Sequence, residues 1–246
     1  NIENYPKAIE YLENSLLRIK NKKGKENLEY AEILIELAIV YKKHGSTELA
    51  LNIALEAVEI SRNNRDESTK IYASCLTNLC QIYDEIGEYE MAIPIQQEAI
   101  SLLKTEDDKS LNYAVAIFTL AKLYGQISDY KNAIRLYENV KEILGKHHAN
   151  DPSAIGGIAS TNNNLGQIYQ RLGDYEKAIN FNLKVLKKAK EGTSEYGKRA
   201  YNVAYNYVQV GEFRKGLEYY NMALKSYKES IGEDHKDYGK LLNNIG

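Results

Sequence analysis

Three prolines, two cysteines, two methionines and no tryptophan occur in a chain of 246 residues, and each scarcity excludes something. So few prolines leave the turn clusters that bound short strands hard to place. Two cysteines cannot build a disulfide framework. Cys75 and Cys80, five apart on one helix, would point about 140° away from each other, so both are expected to stay reduced. No apolar run reaches about 18 residues, and Asn1 to Glu10 lack the basic-then-apolar order of a signal peptide. That pattern predicts a cytoplasmic protein with no membrane partner. Neither sign of charge dominates: 32 Lys and Arg stand against 34 Asp and Glu, a net charge of −2. The broad basic field of a nucleic-acid-binding surface is missing.

What the chain has is tyrosine, 21 of them, together with Leu, Ala, Glu, Lys and Ile running on in a 3.6-residue period. The period predicts an all-α fold. A segment also recurs: IYDEIGEYEMAI (82–93), LYGQISDYKNAI (123–134), IYQRLGDYEKAI (168–179) and NYVQVGEFRKGL (206–217), with a weaker copy VYKKHGSTELAL (40–51) and the half copy ENYPKAI (3–9). Taking the turn residue as zero, the anchors are Glu3, Gly45, Gly87, Ser128, Gly173 and Gly211, spaced 38 to 45 residues apart. Such a period means stacked supersecondary units, none able to bury its apolar face alone.

Each offset has a physical reading. Tyr41, Tyr83, Tyr124, Tyr169 and Tyr207 stand at minus four, and Leu37, Leu79, Leu120, Leu165 and Val203 at minus eight. The small residues Ala38, Cys80, Ala121, Gly166 and Ala204 stand at minus seven. On a helix these fall within about 100° of surface, an apolar stripe with room for a close neighbour. That stripe marks a first helix, A. Glycine at zero supplies the left-handed turn after it. Beyond the turn, Ala8, Ala50, Ala92, Ala133, Ala178 and Gly216 at plus five keep a second helix, B, tight against A.

These residues resemble the tetratricopeptide repeat, specifically its long form of about 42 residues found in kinesin light chains and many bacterial signalling and effector proteins. Tyr30, Tyr72, Tyr113, Tyr196 and Tyr238 mark the extra turns with which helix A begins in that form. The resemblance implies a right-handed α-solenoid of antiparallel helix pairs. The expected division of this single solenoid is a half repeat over 1–24, repeats over about 25–66, 67–107, 108–150, 151–192 and 193–233, and a half repeat over 234–246. Capping repeats are absent from that division, so the chain is expected to be a fragment of a longer protein and to self-associate through its incomplete terminal repeats.

Catalysis has no visible carrier: GxGxxG, GxxxxGK[ST], HExxH and GxSxG are all missing. His147, His148 and Asp151 share a linker, but zinc needs three or four ordered ligands and His44 and His235 lie whole repeats away, so no metal or other cofactor is expected. Cys80 occupies the small slot of helix A and reads as a core residue rather than a nucleophile.

In the family that is resembled, the far side of helix A, at offsets minus thirteen, nine, six and two, lines the concave groove. Here it is polar, and the resemblance implies a non-catalytic scaffold holding a protein or peptide ligand there. The expected contact residues are Asn78, Gln81, Thr119, Lys122, Asn163, Asn164, Gln167, Arg171, Lys198, Tyr201, Asn202, Tyr205 and Gln209. Asn recurs at minus nine in Asn78, Asn164, Asn202 and Asn244, although mid-helix Asn costs about 0.6 kcal/mol relative to Ala. Its amide could pair with an extended peptide backbone, or brace a neighbouring repeat. The Lys and Asn pattern that clamps chaperone tails is missing, since minus ten holds Ile35, Thr77, Phe118, Asn163 and Tyr201. A second reading makes the chain the sensor or regulatory arm of a larger signalling or protease effector, with catalysis elsewhere. Five tyrosines beyond those of the repeat pattern, Tyr201, Tyr205, Tyr219, Tyr220 and Tyr227, crowd the last full repeat and suggest rigid aromatic area for a ligand.

Overall fold

A computed structural model describes residues 4–233 and 235–243. Twelve helices occur among them: α1 (Tyr5–Lys23), α2 (Leu28–His44), α3 (Thr47–Asn63), α4 (Thr69–Ile86), α5 (Tyr89–Asp107), α6 (Leu111–Gln126), α7 (Tyr130–His147), α8 (Pro152–Arg171), α9 (Tyr175–Leu186), α10 (Ser194–Gln209), α11 (Phe213–Ser230) and α12 (Lys236–Asn243). No strand occurs among the described residues. The even-numbered helices from α2 to α10 are helix A of successive repeats, and the odd-numbered ones are helix B. Their contacts divide the chain into two compact units, one running to Ile143 and one from Leu144. The anchor Glu3, the residue Asn244 and the segment 244–246 lie outside the described residues.

Side-chain caps fix where helix A begins. Asn27, Ser68, Ser110 and Thr193 each accept the backbone N–H three residues on, and Asp151 accepts those of Ser153 and Ala154. Each cap satisfies a donor that has no partner inside the helix. Helix A of two repeats ends at Gly45 (φ 90°) and Gly87 (φ 81°), in the left-handed region that favours glycine. Ser128 fills the same turn at φ 62°, the one non-glycine residue with positive φ among those described. A side chain there strains the backbone by about 1–2 kcal/mol. Ser128→Gly should therefore stabilise the protein by about 0.5–1 kcal/mol, the remainder after glycine's larger unfolded-state entropy is subtracted. A urea midpoint that falls would contradict this account.

The small slots close the helix pairs as their offsets require. Ala38, Cys80, Ala121 and Ala204 on helix A and Ala50, Ala92, Ala133 and Ala178 on helix B all have no exposed surface. Gly166 takes the slot further, because a Cβ there would lie 2.5 Å from Oδ1 of Asn182. Asn182 stands at plus nine on helix B, a position buried in every full repeat: Ala54, Gln96, Tyr137, Asn182 and Tyr220.

Plus nine is matched in chemistry to minus ten on helix A of the same repeat. Tyr137 packs edge-on against Phe118 with ring centroids 5.5 Å apart, and Tyr220 meets Tyr201 at 5.6 Å. Gln96 Nε2 donates to Thr77 Oγ1 at 3.4 Å and to the Ala116 carbonyl of the next helix A at 2.9 Å. In the remaining repeats these two positions hold Ile35 with Ala54 and Asn163 with Asn182. The aromatic pairs fill the space between their helices, and the Thr77–Gln96 pair is polar on both sides, although Gln96 Oε1 has no hydrogen-bond partner. In the second unit a further aromatic clasp joins minus four to plus eight. Tyr169 stacks on Phe181 at 5.6 Å and Tyr207 on Tyr219 at 5.5 Å. Lys177 and Lys215 cover the tyrosine faces as cation–π partners.

Candidate binding surfaces on the first helices

Within the first unit α2, α4 and α6 pack side by side and present their polar far sides together. Glu32, Glu36, Ser74, Val115, Lys122 and Gln126 are exposed there, and Asn78 and Gln81 are half-buried. Between α4 and α6 lies a cleft of about 100 Å³, lined by Lys70, Ser74, Thr77, Asn78 and Gln81 from α4, Leu103 from α5, and Asn112 and Val115 from α6. Asn78 and Gln81 were expected on this face. Lys70 and Asn112 were not, because they sit in the extra turns of helix A that the repeat offsets leave out.

Asn78 Nδ2 donates to the Ser74 carbonyl at 2.9 Å, one turn back in its own helix. One of its two amide hydrogens is thus used locally rather than across to a neighbouring repeat. Two expected contact residues differ from the reading above. Thr119 is buried, its hydroxyl donating to the Val115 carbonyl at 3.0 Å, so it is part of the helix packing and not of the open face. Lys122 is bound by the buried carboxylate of Asp84 in the preceding repeat, which answers its charge within the scaffold. Lys42 reaches the other way, to Glu85 of the following repeat, at 3.4 Å. These two pairs tie α2 to α4 and α4 to α6.

In the second unit α8 presents Gln167 and Arg171 fully and Asn163 and Asn164 in part. On α10 Lys198 and Gln209 are exposed, while Tyr201, Asn202 and Tyr205 are half-buried. Tyr201 is a correction: its ring is held against buried Tyr220, the aromatic match described above. Burial pushes the Tyr220 hydroxyl up to about 12, with Tyr201 and Tyr205 adding to the shift. Of the surplus tyrosines, Tyr219 stacks on Tyr207 and Tyr227 closes over Gly197, where a Cβ would lie 2.7 Å from its ring. The crowd of tyrosine is largely packing. Its signal was in the sequence, as aromatic residues matched at offsets twelve and nineteen apart.

Cys75 and Cys80 are free and buried, as expected. Burial pushes their thiols up to about 11 and about 12, so neither is a thiolate nucleophile at neutral pH. Among the described residues no group of three or more His, Cys, Asp or Glu could hold a metal ion, and no helix is long and apolar enough to cross a membrane. A second cleft, about 270 Å³, opens between α1 and α2 with Arg18, Lys22 and Lys23 in its lining, a feature the offsets did not predict.

Two models of the tetratricopeptide repeat match, one over residues 2–63 and 71–146 and another over residues 159–187. The chain belongs to the tetratricopeptide repeat family. Its long units are of the kinesin-light-chain-like form, and its helix pairs are those of the family's α-solenoid. Among solved structures, BtubC (BKLC) from P. vanneervenii is 19% identical with a TM-score of 0.76, the match covering 91% of each chain. A kinesin-light-chain candidate from Podosopora anserina with nearly identical TPR-like repeats is 18% identical with a TM-score of 0.69, over 82% of this chain and 97% of that one. YrrB, a TPR protein with an unusual peptide-binding site, is 16% identical with a TM-score of 0.59, over 93% of this chain and 96% of that one. No curated protein matches the sequence at a significant level.

Proposed function

We propose that the chain is a non-catalytic scaffold that binds a protein or peptide segment on the polar faces of its first helices. The observation that carries this reading is the chemistry of those faces. Asn78, Gln81 and Asn112 in the first unit and Asn164, Gln167 and Asn202 in the second offer side-chain amides at least partly open to solvent. A side-chain amide both donates and accepts, which suits the unpaired backbone of an extended chain. The family is one of interaction scaffolds, and YrrB shows that a fold of this kind can carry a peptide-binding site. Arg171 and Tyr205 supply residue types that dominate binding hot spots.

The test begins with selection of peptides from a displayed random library against the whole chain. Asn78→Ala with Gln81→Ala, and Gln167→Ala with Arg171→Ala, should each weaken the selected peptides about tenfold or more, with the melting temperature within about 2 °C. Lys184→Ala on the exposed side of α9 should change nothing. If the α9 variant weakens binding and the first-helix variants do not, the binding surface lies on the second helices instead.

A further inference from the structure

The α4–α6 cleft differs from the rest of the polar face in ways the repeat does not require. Lys70 stands at minus seventeen, where other repeats have Leu28, Leu111, Gly156 and Ser194. Asn112 stands at minus sixteen, where they have Glu29, Ile71, Gly157 and Glu195. Lys70 is exposed, is the one charged residue in the cleft lining, and makes no ion pair among the described residues; no carboxylate lines the cleft. The nearest repeat-offset cation on α4 or α6, Lys122, is already answered by Asp84. An unanswered cation beside four uncharged polar side chains, Ser74, Asn78, Gln81 and Asn112, attracts a carboxylate.

The walls are also braced. Gln96, with no exposed surface, crosses between them: its Nε2 donates to Thr77 Oγ1 on α4 and to the Ala116 carbonyl on α6. This staple ties α4 to α6 beside the cleft, and Leu103 and Val115 close it with hydrocarbon. The cleft is small, about 100 Å³, which suits a short side chain better than a chain terminus, since a terminus brings its last side chain as well as its carboxylate.

Resting on the proposed binding function, we infer that this cleft reads one short acidic side chain, an aspartate, in the bound partner segment. Lys70 pairs with its carboxylate, and the amides of Asn78, Gln81 and Asn112 take its remaining oxygen and the adjoining backbone.

The probes are acetylated and amidated nonapeptide libraries whose central residue is fixed as Asp, Asn, Glu or Ala, with a fifth library carrying central Ala and a free C-terminal carboxylate. Retention on the immobilised whole chain should favour Asp over Asn by about fivefold, the size of a partly exposed ion pair. Glu should fall between them. In Lys70→Gln the Asp preference should shrink below about twofold while retention of the Asn library stays unchanged. Arg171→Gln in the second unit should leave the preference intact. Equal retention of Asp and Asn, a preference that survives Lys70→Gln, or a win for the free-carboxylate library overturns the aspartate site and leaves the binding function standing. Failure of every library to bind overturns the binding function and the site together.

Discussion

Tyr137→Ala should lower the stability of the first unit by about 3–5 kcal/mol, among the largest effects of any single truncation in the chain. Tyr137 is 1% exposed and packs edge-on against Phe118 at the plus-nine position, where helix B meets its own helix A. Removing the ring deletes a large buried aromatic and its edge-to-face contact together, and the surrounding helices can collapse only in part. Phe118→Ala should cost less, because Phe118 is half-buried. The double variant should cost less than the sum of the singles by about 0.5–1.5 kcal/mol, since the two rings share one contact. Guanidinium unfolding with an unchanged slope would read these values. A loss under about 1 kcal/mol for Tyr137→Ala would mean that the matched pair is surface decoration.

The same pair shows where the sequence could be read and where it could not. The repeat was legible because each anchor recurs with a fixed physical duty: glycine for a left-handed turn, alanine for close approach, leucine for the stripe. The helix pairs follow from those duties alone. The binding face was legible only where offset arithmetic is unambiguous. At about 100° per residue, minus nine points to the far side of helix A, but minus ten lies about 100° away from it, beside the small slot at minus seven. Tyr201 and Asn163 sit on that border, and at least for Tyr201 packing won.

Lys122 fails for a different reason. Its offset does place it on the face, but Asp84 is 38 residues earlier, in another repeat, and no reading confined to one unit would join them. Lys70 and Asn112 escaped because the extra turns of long-form helix A lie outside the anchored offsets. Contacts between repeats depend on how units stack, and that information is spread over positions about forty residues apart.

Asn206→Leu should raise stability by about 1–3 kcal/mol, the reverse of the usual result at a fully buried site. Asn206 stands at minus five on α10, where the other repeats have Val40, Ile82, Leu123 and Ile168, and it has no exposed surface. Both its amide atoms, Oδ1 and Nδ2, lack a hydrogen-bond partner. Such a group loses its water on folding and gains nothing in return. Leucine has the same number of side-chain heavy atoms in the same branched arrangement, so it replaces the two polar atoms with methyls at little steric cost. It is also the better helix former, by about half a kcal/mol. The thermal midpoint should rise by several degrees, and Asn206→Asp, which adds a charge at the same buried point, should lower it. Should Asn206→Leu destabilise instead, the amide is satisfied in solution by a buried water that spans its two atoms, and Asn206→Ala would then lose stability as well, by more than a side-chain truncation alone explains.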